Sequence, residues 1–118
     1  MIKIYGIPNC GTVKKALEWC KANQVEFAFH DFKKVGVTTE KLKEWTGVFG
    51  WENLLNKGGT TWRGLSAEEQ SAIKSEASAI ALMQTNTSII KRPVVEAYGK
   101  YLLRFNEQEY RETLLKNE

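Results

Sequence analysis

The chain has 118 residues, 42% of them hydrophobic, with a formal net charge of +3 and two cysteines. That is enough for one ordinary core, too apolar for a disordered chain and too poor in cysteine for a disulfide scaffold. No apolar run reaches the 18 residues of a membrane span, and a net charge of +3 is too mild to imply nucleic-acid binding.

Met1-Ile2-Lys3-Ile4-Tyr5 does not have the pattern of a secretory signal, so a reducing cytoplasm is the expected compartment. Ile2-Lys3-Ile4-Tyr5 alternates and reads as a strand ending at Gly6. After the loop at 7–11 a helix is expected over 12–22, with Val13, Ala16, Leu17 and Cys20 on one face. Residues 25–31 read as the second strand, and strand, helix and strand in about 30 residues imply a parallel pair with a right-handed crossover.

The middle of the chain is helical. Thr39 caps a segment with Leu42, Trp45 and Phe49 turned inward, and Gly50 ends it. Residues 51–56 form a short helical piece, and 57–61 are turn-prone. Ser66-Ala67-Glu68-Glu69 has the form of a capping box. A further helix is expected over 78–85. Then 94–97 and 101–105 read as a hairpin turning at Tyr98-Gly99-Lys100, and Asn106 starts a terminal helix holding Tyr110, Leu114 and Leu115. This order is that of a split α/β domain with a mixed four-stranded sheet.

The chemistry concentrates at Cys10, in the turn between the first strand and the first helix. Free backbone N–H groups and the positive end of a helix dipole stabilise a thiolate there. An unperturbed thiol, with a pKa of about 8.5, is only about 3% ionised at pH 7. Gly11 lets a substrate approach the backbone, the Thr12 hydroxyl can donate to sulfur or to an oxyanion, and Lys14 and Lys15 add positive potential. Cys20 lies ten residues further along the same helix, roughly 15 Å away at 1.5 Å per residue, too far for a disulfide. It reads as a core residue. Arg63 follows a Gly-rich turn, Arg92 precedes Pro93, and Arg104 falls in the last strand; guanidinium groups match pairs of oxygens on an oxyanion. His30, the sole histidine, reads as structural, and one histidine with two distant cysteines makes no zinc site. The glycine and serine motifs of nucleotide-binding and hydrolase folds are missing.

Taken together, Tyr5-Gly6-Ile7-Pro8-Asn9-Cys10-Gly11-Thr12-Val13-Lys14-Lys15-Ala16, Trp51-Glu52-Asn53-Leu54-Leu55-Asn56, Gly59-Thr60-Thr61-Trp62-Arg63 and Ile90-Lys91-Arg92-Pro93-Val94-Val95 resemble the arsenate reductase ArsC/Spx family, in particular its YffB-like branch of thiol reductases. The resemblance implies a thioredoxin-like α/β fold: one domain over 1–118, its core formed by 1–38 and 88–118, with a helical insertion over 39–87. It implies Cys10 as the nucleophile, Arg63, Arg92 and Arg104 as anion-binding arginines beside Gly11, Thr12 and Lys14, and Pro93 as a cis-proline facing the cysteine. It further implies no bound cofactor or metal, glutathione as co-substrate, glutaredoxin as a partner, and a monomer. The alternative is a non-enzymatic, Spx-like regulator that binds RNA polymerase. Relatives of that type sense oxidation through a C-x-x-C pair, but Val13 stands where the second cysteine would be.

Overall fold

Period-two alternation turns Ile4 to one face of the first strand and Tyr5 to the other, and both are buried. In a computed structural model, which describes residues 1–115, this strand is β1 (Lys3–Gly6). It leads into α1 (Gly11–Ala22), β2 (Ala28–Asp31) and the single turn α2 (Phe32–Val35). The chain divides into two compact units, Met1–Val35 with the segment from Arg92 onward, and Gly36–Lys91.

In the first unit the sheet order is β2-β1-β3-β4, with β3 at Val94–Ala97 and β4 at Lys100–Leu103. β1 runs parallel to β2, with Tyr5 opposite His30, and antiparallel to β3, with Ile4 opposite Val95. β3 and β4 form an antiparallel hairpin with Val94 opposite Leu103. Its turn places Tyr98 (φ 55°) and Gly99 (φ 75°) in the left-handed region, the geometry whose twist suits a two-residue hairpin. The fold is α/β and thioredoxin-like, with the mixed four-stranded sheet expected from the element order.

The core of this unit gathers Ile4, Val95 and Ala97 from one sheet face with Ala16, Trp19 and Cys20 of α1 and Tyr110 of α8 (Glu107–Tyr110). Removing each large apolar side chain from water contributes about 1.5–3 kcal/mol. Gly6 is required for this packing. A Cβ there would stand 2.8 Å from Val13 Cγ2, so the end of β1 and the first turn of α1 meet where no side chain fits. Asn106 caps α8 by accepting the Glu109 N–H, and the chain continues as a π-helical turn, Arg111–Leu115, that buries Leu114.

In the second unit, α3 (Thr39–Phe49) packs against α7 (Glu76–Thr85), and α4 (Trp51–Leu54) packs on both. Two side-chain bonds show that α3 and α7 run antiparallel. Thr39 donates to Gln84 at 2.7 Å and Thr46 to Glu76 at 2.8 Å. Leu42, Trp45 and Met83 are fully buried. The capping box at Ser66 and Glu69 forms as expected, opening α6 (Ala67–Ser71). A second box, Ser75 with Ser78, starts α7 two residues before the expected position.

Other boundaries also move. Residues 25–27 do not join β2; the chain reverses through Gln24 (φ 58°), and the Val25 N–H donates back to Cys20 O at 2.8 Å. Thr38, not Thr39, caps α3 by accepting the Lys41 N–H. The turn-prone 57–61 region runs into one helical turn, α5 (Thr60–Arg63), and a 3-10 turn at Thr87–Ile89 precedes a bridge between Leu55 and Ile90. Arg104 is outside the strand in which it was expected. β4 stops at Leu103, and Arg104 turns to φ 65°, a left-handed conformation that cannot continue a ladder. Among the described residues no helix is long and apolar enough to cross a membrane.

Candidate functional site

Topology brings three separated segments to one end of the sheet. β1 ends at Gly6 and leads into the Cys10 loop, β3 begins just after Arg92 and Pro93, and β4 ends just before Arg104. Cys10 is the cap residue of α1, in extended conformation (φ −129°, ψ 128°), and its carbonyl accepts the Lys14 N–H at 2.9 Å. The half-buried thiol forms no full capping hydrogen bond, but the N–H groups of Val13 and Thr12 act on its sulfur. Arg92, 82 positions away in sequence, places its guanidinium there as well, hydrogen-bonded to the sulfur.

The resulting thiol is more acidic than usual. Partial burial pushes the Cys10 pKa up, but this is outweighed by the Val13 and Thr12 N–H groups and by the charge and hydrogen bond of Arg92, so the net direction is down. Cys20 shows the opposite effect: fully buried on the inner face of α1, its thiol is pushed up to about 11 by burial alone. The two cysteines are not joined.

The other expected site residues are distributed as follows. Gly11 is exposed, with open space where a Cβ would stand, so its backbone is accessible. Thr12 is half-buried and Lys14 exposed; the first turn of α1 contains no acidic residue. The Arg92–Pro93 peptide bond is cis and Pro93 is buried. Arg104 is exposed, its N–H donating to Pro93 O at 2.7 Å. Arg63 belongs to the second unit, exposed at the end of α5, with its Nε donating to Gly59 O at a long 3.4 Å. His30 lies on β2 with its ring 5.0 Å from that of Tyr5, whose hydroxyl donates to Glu96 on β3. The sequence reading missed Tyr110 as more than a core residue: its hydroxyl donates to Arg104 O. The available signal was chemical, since a buried tyrosine needs an acceptor for its O–H.

Arg92 gives a direct test of the electrostatics. The lowered pKa means that the folded state favours the thiolate. This contributes stability at pH values above the thiol's unfolded pKa, and the contribution is lost as pH falls through the lower folded value. Arg92→Leu is expected to raise the Cys10 midpoint and flatten that acid-side loss. Alkylation of Cys10 by iodoacetamide, followed from pH 5 to 9, measures the midpoint, and an unmoved midpoint would overturn the assignment.

Known proteins share this fold. A solved structure described as the YFFB (PA3664) protein superimposes with a TM-score of 0.92 at 41% identity, covering 97% of this chain and 99% of its own. An arsenate reductase (ArsC) related protein from Brucella melitensis is 40% identical with a TM-score of 0.75, covering 94% and 92%. The global transcriptional regulator Spx of Streptococcus pneumoniae is 23% identical over 113 residues, 94% of this chain and 84% of the regulator. Residues 5–113, which include Cys10, Arg63, Arg92, Pro93 and Arg104, match the profile of the ArsC family, and the chain belongs to that family.

Proposed function

We propose that this chain is a thiol-dependent reductase acting on a mixed disulfide of glutathione. The observation that carries the reading is the Arg92 guanidinium on the Cys10 sulfur at the start of α1, which favours the attacking thiolate. The Cys10 thiolate attacks the glutathione sulfur of the substrate disulfide. A bond forms between Cys10 Sγ and that sulfur, the substrate bond breaks, and the substrate leaves as a thiolate. An external glutathione thiolate then attacks the Cys10 adduct, releasing oxidised glutathione and restoring Cys10. Glutaredoxin can serve the same resolving step. Resolution from outside suits a chain whose second cysteine is buried.

Among the family's oxyanions, arsenate is the alternative substrate of the same thiolate, with Arg92 and Arg104 of the same unit stabilising its charge. Gly6, Ile7 and Pro8 precede the cysteine where arsenate reductases carry a basic or polar residue, which favours the disulfide. The test supplies purified protein with glutathione, glutathione reductase and NADPH, and offers a glutathionylated peptide or arsenate. NADPH consumption above the glutathione background with the peptide is expected. Background rates with the peptide overturn the disulfide reading, and turnover of arsenate alone moves the reading to the oxyanion. The similarity to Spx supports a second reading as a polymerase-binding regulator without the oxidation switch, since Val13 replaces the second cysteine. Retention of RNA polymerase subunits by the immobilised chain tests it.

A further inference from the structure

We infer that Tyr110 is a positioning residue for the Cys10 site, its hydroxyl holding the turn at Arg104 that in turn braces the Arg92–Pro93 segment beside the thiol. The inference rests on the reductase reading and deepens it by naming the residue that keeps the anion-binding segments in place.

Each link is a contact within the first unit. Tyr110 is fully buried. Its ring is held edge-on by Trp19 at 5.7 Å and by Phe105 at 4.8 Å. Packing alone would be served equally by phenylalanine. The hydroxyl is the part that needs explanation, because a buried O–H without an acceptor is unfavourable. It donates to the carbonyl of Arg104, six residues back.

Arg104 is a non-glycine residue at φ 65°, a conformation that persists only where the surroundings over-determine it. Both of its backbone polar groups are engaged. The carbonyl accepts from Tyr110, and the N–H donates to Pro93 O at 2.7 Å. Pro93 follows Arg92, whose guanidinium contacts the Cys10 sulfur. The phenol therefore fastens to the core a turn that carries one candidate arginine and abuts the segment carrying another. Without the hydroxyl, Arg104 is free to relax from the left-handed region, and the Pro93 carbonyl loses its fixed donor.

The test uses the full chain and Tyr110→Phe, which removes one oxygen and keeps the ring. Cys10 alkylation rates are measured with anionic iodoacetate and neutral iodoacetamide, with the modified peptide quantified by mass spectrometry. Their ratio reports the positive potential at the sulfur independently of any substrate. Loss of one hydrogen bond's worth of positioning is expected to lower the iodoacetate-to-iodoacetamide ratio about threefold. Phe105→Leu is the control: it trims the same aromatic contact but leaves the hydroxyl, and the ratio is expected to stay at the wild-type value. An unchanged ratio in Tyr110→Phe, or an equal fall in both variants, overturns the role of Tyr110. Failure of the reading beneath it looks different, because wild-type Cys10 would then titrate as an ordinary thiol and show no preference for the anionic reagent.

Discussion

Cys10→Ser is expected to lower reduction of a glutathionylated peptide by at least about 10³-fold, to the background set by glutathione itself. The size follows from the chemistry. A serine hydroxyl ionises far above any working pH and cannot form the sulfur–sulfur bond on which the proposed cycle turns. No other thiol can substitute, since Cys20 is fully buried and its pKa is raised to about 11. The same NADPH-coupled assay measures the loss, with circular dichroism showing that the variant remains folded. Cys20→Ala is the companion variant: it leaves Cys10 in place and removes one buried sulfur, at a stability cost on the order of 1 kcal/mol. Equal rates for Cys10→Ser and wild type would sink the reductase mechanism.

The largest expected effect on stability is that of Trp45→Ala. Trp45 is fully buried on α3, the helix tied to α7 by the Thr39–Gln84 and Thr46–Glu76 bonds at its two ends. Because those bonds hold the helices in register, α3 cannot slide to fill the space left by the indole. Truncations of this kind cost about 3–5 kcal/mol. At roughly 3–6 °C per kcal/mol for a chain of this size, the melting temperature is expected to fall by about 9–30 °C. Thermal denaturation followed by circular dichroism checks it, and a fall of less than about 5 °C would show that the site collapses around the smaller side chain. Trp45→Phe is expected to lose less than half as much, because most of the ring volume remains.

The elements with periodicity or capping chemistry were legible from the residues. Alternation around Ile4, the apolar face of α1, the Ser66 box and the Tyr98-Gly99 turn each reflect a local rule, and together they fix the mixed sheet. Single turns were not legible. α2 is one turn of Phe32–Val35 without periodicity, begun by the Asp31 carboxylate accepting the N–H groups of Lys33 and Lys34. Arg104 was drawn into β4 by apolar Leu102, Leu103 and Phe105, whereas its actual conformation is set by Pro93 and Tyr110, contacts that local pattern does not encode. At the site, Cys10 could be read from its place before a helix. Its pairing with Arg92 spans 82 positions, and only the motif resemblance pointed to it before the geometry did.

The buried state of Cys20 has a practical side. Held away from solvent, with its pKa raised to about 11, it carries less than about one part in a thousand thiolate at neutral pH. The folded chain is therefore a two-cysteine protein that offers a single attachment point. A fluorophore, spin label or affinity handle supplied as a maleimide joins the native sequence at residue 10 alone, with no cysteine removed by mutation. The label then sits at the start of α1, within reach of the chemistry that it would be used to report.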